Sequence, residues 1–450
     1  VGVSVEHARA TAMMHGAGCR VDKGRVFIPR AVVQKALGSL DRNARFCSAD
    51  GKREILLGKG VIRAHNGGGM AAVIDSTTGK RRPATLKDVV DSTRLLDALP
   101  NVDAIVPMFG PQDVPPALMI PASFAATLRN TRKPVMGAGA ESAADVRWMV
   151  AMAEACCGGH EAFMRNPTLS IMVSPVSPLR LTEKVAEAIL AVAEAGAQFQ
   201  SLPCPMLGTT SPITIAGAVA QLHAEVLASF VLAAAARPGL RILSSARISG
   251  IDLHTATSEW GGPEIALSAA CVVQLAHRAG LACDAYGLST GSVRLDPQAA
   301  FERYTNALMP ALAGVDIMSG VGFMDNAASA SLTMAVIDNE ILGQLKHVVA
   351  GVRVTPDTLA YDLTQEVVPE GGTFLDREQT AEQISRGCFW IPGVSERLTG
   401  SAADGPGTGI VARARAREEE LLRQHHVEPL PANIDRALDD ILAEARRETA

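Results

Sequence analysis

The chain has 450 residues, of which 48% are hydrophobic, and its formal net charge at pH 7 is −5. The dispersed charges argue against a nucleic-acid groove, and no apolar run reaches the roughly 18 residues of a membrane span, so we expect neither nucleic acid nor a membrane as a partner. Eight scattered cysteines do not form a disulfide framework, which favours a reducing cytoplasm.

Residues 1–58 predict a small α+β cap. Helical patterns over residues 5–18 and 30–40 flank a short hairpin, whose turn we expect at Lys23–Gly24. A second hairpin is predicted within Ala72–Asp88, and Thr85 in that segment is a suitable cap for the following helix.

Eight short apolar segments recur between residues 59 and 350, and most of them lead into a helical pattern. Strands that alternate with helices indicate parallel pairing through right-handed crossovers, and eight such units predict a (β/α)8 TIM barrel. A helical C-terminal extension over residues 351–450 follows, and its charged tail is predicted to be solvated or to face a partner. The eight segments are Val61–Asn66, Val102–Met108, Lys133–Gly139, Thr168–Ser174, Gln198–Cys204, Leu240–Ser245, Leu281–Gly287 and Gly314–Gly320.

The carboxyl ends of these strands are the predicted active site, because TIM barrels carry their chemistry there. Glycine, proline and small hydroxyl residues dominate at these ends, and lysine is absent, which disfavours a Schiff-base lyase or aldolase. Cys204 and Cys283 fall near strands without zinc-ligand spacing, so we predict no metal site. The run Gly67–Gly69 is interpreted as a tight strand-to-hairpin turn or as clearance for a partner, rather than as a phosphate cradle.

Aromatic residues make up only 4% of the chain, yet several lie at predicted strand ends or in the loops that follow them. Such rings could form a cation–π box for a quaternary or tertiary ammonium group, and ordinary packing at the rim is the alternative. The four aromatic candidates are Tyr286, Trp260, Phe323 and Phe109.

Six motifs, in this order and spacing, resemble the trimethylamine methyltransferase family in its broad sense, including the relatives that lack pyrrolysine. The resemblance runs over nearly the whole chain. The motifs are Thr78–Ile105, Gln112–Pro116, Leu128–Val135, Pro205–Ala218, Gly261–Leu267 and Val336–Gly343.

The resemblance implies a TIM barrel that demethylates a methylamine or betaine and passes the methyl group to cobalt(I) of a separate corrinoid protein. It implies no tightly bound cofactor. Ordinary residues throughout point to the non-pyrrolysine, betaine-type branch, and the position equivalent to pyrrolysine is not assigned. One departure is Thr373, which stands where the family pattern suggests histidine.

A quaternary ammonium leaves as a neutral tertiary amine, so the transfer needs positioning and exclusion of water rather than a general acid. We therefore assign no catalytic residue. Glu141 or Glu264 could balance the ammonium charge, and Arg247 or Asn66 could bind a betaine carboxylate. Met206 completes the candidate substrate-binding set, with core packing as its alternative.

Two other functions fit the same sequence. The methyl group could pass directly to tetrahydrofolate without a corrinoid partner, or the barrel could bind a betaine without turnover. The charged tail and the apolar C-terminal helix are also compatible with a homodimer.

Overall fold

The helices and the hairpin predicted within residues 1–58 are present in the computed structural model, which describes residues 1–137, 139–397 and 408–449. The hairpin turns at Lys23 and Gly24, whose φ angles of 47° and 75° lie in the left-handed region that favours glycine. The elements are β1 (Val3–Val5), α1 (Ala8–Gly16), β2 (Arg20–Asp22), β3 (Arg25–Phe27), α2 (Arg30–Ser39), β4 (Arg45–Cys47) and β5 (Glu54–Leu56).

The middle of the chain alternates strands and helices, as the sequence predicts, and adds several short strands in the loops. Its first half contains β6 (Arg63–Asn66), β7 (Ala72–Ile74), β8 (Arg81–Pro83), α3 (Leu86–Ala98), α4 (Met119–Arg129), α5 (Ala143–Cys157), α6 (His160–Arg165), β9 (Ser170–Val173), β10 (Arg180–Leu181) and α7 (Glu183–Ala195). Its second half contains β11 (Gln198–Ser201), α8 (Ile215–Ala236), β12 (Ile242–Ala246), β13 (Gly250–Ile251), β14 (Ser258–Glu259), α9 (Pro263–Arg278), β15 (Cys283–Tyr286), α10 (Pro297–Leu312), β16 (Ile317–Val321), β17 (Phe323–Met324), β18 (Ser329–Ala330) and α11 (Leu332–Ala350).

Six of the eight predicted strands form one curled parallel sheet in the order β6-β16-β15-β12-β11-β9. The prediction of continuous strands at residues 102–108 and 133–139 needs correction, because these segments form only isolated parallel bridges. Pro107 and Pro134 lack the N–H group that a ladder requires, which interrupts pairing there. The bridges join His65 to Ala104, Ile105 to Val135 and Gly139 to Met172, and so connect β6 with β9.

Helix α8 is the single helix, among the residues that the structure describes, that is long and apolar enough to cross a membrane. It lies in the ring of outer helices, where it packs against α7 and α9 and against α1 and α2 of the cap. The second half of α8, Val226–Ala236, is largely buried.

The charged tail packs one face on the outer helices and leaves most of its other residues exposed or half-buried, so it is solvated on its outer side. Helix α15 contacts α11 and α3, and α16 contacts α4 and α5. The Glu418 carboxylate is buried and accepts hydrogen bonds at 2.6 Å from the hydroxyls of Ser76 and Thr333. The helices of this extension are α12 (Pro356–Leu359), α13 (Tyr361–Val367), α14 (Glu378–Ser385), α15 (Ile410–Gln424) and α16 (Ala432–Thr449).

A fully buried ion pair between Arg303 and Asp338 joins α10 to α11 beneath the end of β16. The Nε of Arg303 donates to Oδ1 of Asp338 at 2.7 Å, and the Gly322 N–H donates to Oδ2 at 2.7 Å. The guanidinium also donates to the carbonyls of Gly320 and Phe323. These bonds fix the loop that carries Phe323.

We predict that Asp338→Asn lowers the free energy of unfolding by about 3–5 kcal/mol, because it leaves the buried Arg303 charge without a counter-ion. Chemical denaturation measures the loss. Asp357→Asn is the matched control, since Asp357 pairs with Arg386 at 3.3 Å on the exposed surface, and such pairs contribute about 1 kcal/mol or less. Equal losses in the two variants would contradict the prediction.

Candidate active site

A layer of hydrogen-bonded polar side chains crosses the interior of the curled sheet. The Asp284 carboxylate on β15 accepts from Gln200 Nε2 and from Ser245 Oγ, each at 2.6 Å. His65 Nε2 lies 3.2 Å from Asp284 Oδ1, and Ser170 Oγ donates to Gln200 Oε1 at 3.3 Å. All five side chains are buried, so the layer ties β6, β9, β11, β12 and β15 together.

Asp284 carries the negative charge of this layer. Burial raises the pKa of its carboxyl group, but the charges of His65 and Arg247 and the hydrogen bonds from His65 and Ser245 outweigh burial and lower the pKa overall. The carboxylate therefore stays ionised, and a fixed negative charge lies beneath the carboxyl ends of the strands.

Arg247 and Tyr286 occupy the next layer toward the carboxyl ends, two residues beyond Ser245 and Asp284 respectively. Side chains two residues apart on a strand face the same side, so Tyr286 points inward as Asp284 does, whereas Arg247 directly follows β12. The Arg247 guanidinium lies 5.3 Å from the Tyr286 ring centroid, and its Nη2 donates to Ser319 Oγ at 3.4 Å. The guanidinium is therefore held between the Tyr286 ring and the Ser319 hydroxyl.

Three of the predicted aromatic residues pack on one another around Tyr286. Its ring meets Trp260 edge-on at 4.9 Å and Phe323 at 5.5 Å, and all three are buried. Burial raises the pKa of the Tyr286 hydroxyl far above its ordinary value, and that hydroxyl has no hydrogen-bond partner among the described residues. Gly67 lies against the Phe323 ring, where an added Cβ would come within 1.5 Å, so a side chain at this position would displace the ring.

A cavity of about 290 Å³ opens at the carboxyl ends of the strands, beside these residues. Asn66 lies on the wall of the cavity, but its side-chain amide is hydrogen-bonded to the backbone of Val106. Its Nδ2 donates to the Val106 carbonyl at 2.7 Å, and its Oδ1 accepts from the Val106 N–H at 3.0 Å. Four of the predicted site residues line the cavity, namely Asn66, Phe109, Glu141 and Arg247.

The other predicted residues lie outside this cavity lining. Glu264 is exposed in the first turn of α9, and Met206 is half-buried in the loop after β11. Thr373 is exposed in the C-terminal extension, where its hydroxyl accepts a hydrogen bond from the Leu375 N–H at 3.1 Å. The structure thus brings together the charged candidates Glu141 and Arg247, while the Tyr286 cluster packs behind Arg247.

Cys204 is exposed as a residue, although protein atoms surround its thiol. Burial raises its pKa to about 11, against the opposing charge of Arg247. The thiol is therefore protonated near neutral pH and is a poor nucleophile or metal ligand in that form. Within residues 1–137, 139–397 and 408–449, no group of three His, Cys, Asp or Glu side chains is arranged to hold a metal ion.

Comparison with known proteins identifies the family. A family model described as trimethylamine methyltransferase (MTTB) matches residues 1–450. The chain belongs to this family. It is therefore a methyltransferase, as the sequence motifs indicate.

Relatives of this MTTB-family chain match along most of their length. A trimethylamine methyltransferase MttB of Desulfitobacterium hafniense (strain DSM 10664 / DCB-2) is 29% identical over 99% of this chain and 90% of the relative. A glycine betaine methyltransferase of D. hafniense (strain Y51) is 27% identical over 100% of this chain and 93% of the relative. The crystal structure of the Methanosarcina barkeri monomethylamine methyltransferase MtmB covers 99% of this chain and 89% of its own, with a TM-score of 0.52 at 12% identity, which supports the fold.

Sequence analysis missed the polar layer below the cavity of this MTTB-family protein. Asp284 and Gln200 lie inside predicted strands, whereas the predicted site residues lie at strand ends and in the loops that follow. A signal was available, because a charged residue within an apolar strand that is buried on both faces needs partners inside the fold. Its partners come from other strands, and sequence spacing does not reveal them.

We predict that alkylation of Cys204 by iodoacetamide accelerates about tenfold per pH unit between about pH 7 and pH 10, because only the thiolate reacts. With a pKa of about 11, roughly one thiol in a thousand is ionised at pH 8. Mass spectrometry of the Cys204 peptide measures the rate, and the exposed Cys388 provides an internal reference. A rate that levels off below about pH 9 would contradict the assignment.

Proposed function

We propose that this methyltransferase removes a methyl group from a quaternary amine or a betaine. The observation that carries the proposal is the pair of opposite charges in one small cavity, with Glu141 and Arg247 both in its wall. Glu141 follows the third predicted strand segment and Arg247 follows β12, so different parts of the sheet supply the two charges. A zwitterion with an ammonium group and a carboxylate complements this arrangement.

The ammonium group would lie against Phe109 and Glu141. Phe109 lines the cavity, and a ring face attracts a cation by about 0.5–2 kcal/mol. The Tyr286 ring already carries the Arg247 guanidinium on its face. We therefore assign the cluster of Tyr286, Trp260 and Phe323 to holding Arg247, which would bind the substrate carboxylate.

We infer that the isolated bridges complete an eight-stranded barrel. The bridges from His65 to Ala104, from Ile105 to Val135 and from Gly139 to Met172 run parallel and connect the two edge strands of the six-stranded sheet. The cavity would then lie at the mouth of the barrel, where TIM-barrel enzymes have their active sites.

The chemistry that this site supports is nucleophilic displacement at a methyl carbon. The C–N bond breaks and its electron pair stays on nitrogen, so a neutral tertiary amine leaves and no proton is required. A corrinoid in the cobalt(I) state on a separate protein would supply the nucleophile, and tetrahydrofolate is the alternative acceptor. The chain would orient the amine, exclude water and balance the charges.

We predict that glycine betaine or carnitine binds more tightly than choline, which has the same ammonium group but no carboxylate. Arg247→Gln should weaken betaine binding about 10- to 100-fold, as expected for the loss of a charge-assisted hydrogen bond, and should leave choline binding unchanged. Glu141→Gln should weaken both. Calorimetry measures each affinity.

Arg20→Gln is the matched control for Arg247→Gln, because Arg20 also stacks on a ring, Phe27, at 4.1 Å, but lies in the N-terminal cap. An Arg247→Gln effect of equal size on betaine and choline would contradict the carboxylate assignment. The absence of binding to any betaine, choline or trimethylamine would contradict the proposed substrate class.

Turnover distinguishes an enzyme from a non-catalytic binding barrel. We predict loss of one methyl group from the bound amine when free cobalt(I) cobalamin is supplied, and no loss with tetrahydrofolate, measured by mass spectrometry of the amine. Turnover with tetrahydrofolate alone would establish the alternative acceptor. Binding without turnover in either case would contradict the assignment as a demethylating enzyme.

A further inference from the structure

The C-terminal extension has an unusually apolar surface between Val352 and Ile391, which we call the extension surface. Among the described residues, 23 large hydrophobic side chains are exposed, and ten of them lie in this segment. A groove of about 840 Å³ lies among them, with Val352, Ile384 and Phe389 in its wall. An apolar patch of this kind marks an interaction site. The ten are Val352, Val354, Leu359, Tyr361, Val368, Phe374, Leu375, Ile384, Phe389 and Ile391.

The extension surface is also acidic. Residues 351–397 contain eight Asp or Glu and four Arg, which gives a net charge of −4. Within the described part of the chain, Asp362, Glu370 and Glu378 are exposed and form no ion pair. These carboxylates remain available to a cationic partner.

The N-terminal cap carries the opposite charge. Residues 1–58 contain ten Lys or Arg and five Asp or Glu, a net charge of +5 in a chain whose total is −5. Lys23, Arg30 and Lys35 are exposed and make no ion pair with the described residues. The exposed Val21 lies on the hairpin two residues before Lys23, so the cap offers apolar as well as basic contacts.

Cap and extension surface lie on separate flanks of the sheet. The cap helices α1 and α2 pack on α7 and α8, next to β11. The extension packs on α11, where the Trp390 ring lies 6.2 Å from the ring of His347 and the Gly393 N–H donates to Glu340 Oε2 at 2.9 Å. The two surfaces therefore pack on different outer helices of one chain.

We propose that the extension surface binds the N-terminal cap of a second copy of this chain. The contact is head-to-tail, because a two-fold contact of the extension surface with itself would bring net charges of −4 and −4 together. Head-to-tail contacts leave one free surface at each end and close into rings when the rotation permits. In this contact, the apolar side chains supply the buried surface area, and the opposite charges determine how the two copies are oriented.

The test uses the full chain and two variants that disable one surface each. Leu375→Asp, at a side chain that is 81% exposed, disables the extension surface, and the double variant Arg30→Glu with Lys35→Glu disables the cap. We expect the wild type to form oligomers of the 47.1 kDa chain and each variant to dissociate at least tenfold more readily in sedimentation experiments. Leu253→Asp is the matched control, since Leu253 is 83% exposed but lies outside both surfaces.

Mixing the two variants decides the geometry. Each retains the surface that the other has lost, so the mixture should form a species of two chains and stop there. Raising the salt concentration from about 0.05 M to about 0.5 M should weaken the association of the two variants, because the charges at the contact are exposed. Unchanged thermal midpoints confirm that the variants fold. A monomeric wild type, a mixture that stays monomeric, or dissociation by Leu253→Asp would each overturn the proposal.

Discussion

A carboxylate inside a folded protein must be hydrogen-bonded and balanced by charge, and the interior of this sheet is built around one such group. Asp284 receives bonds from Gln200, Ser245 and His65, which come from three other strands. Any shift in strand register would leave the carboxylate with unpaired oxygens, so the network selects one alignment of β6, β11, β12 and β15. Arg247 stands one layer above and is positioned by that alignment.

The fixed charges of the interior also bear on what the cavity can hold. The Arg247 guanidinium stacks on the buried Tyr286 ring, with Asp284 one layer below. It forms no direct ion pair with Asp284, and the ring and the hydrogen bond to Ser319 set its orientation. Glu141 supplies the second charge of the cavity wall. Preorganised charges cost no rearrangement when a substrate binds, which suits a reaction that needs positioning and little else.

The sequence predicted the positions of six strands of the sheet, because short, partly apolar segments recur before helical patterns even where polar residues interrupt them. The prediction of continuous strands over residues 102–108 and 133–139 was wrong, because prolines there reduce the hydrogen-bond ladder to single bridges. Asn66 shows why side-chain roles are harder to predict: from its position it could bind a substrate carboxylate, yet its amide replaces missing backbone pairing to Val106. Contacts of this kind join residues 40 positions apart, and only the folded chain brings them together.

The cap and the extension surface lie away from the loops that surround the cavity. Cap and extension surface pack on outer helices, whereas the loops after β9, β11, β12 and β15 carry their own exposed apolar side chains, Val176, Ile213, Leu253 and Val293. A contact between copies through the flanks leaves these loops uncovered. If the cavity holds the amine as proposed, a methyl acceptor would approach along the C–N bond from the cavity side, so the proposed assembly through the flanks would leave methyl transfer unobstructed.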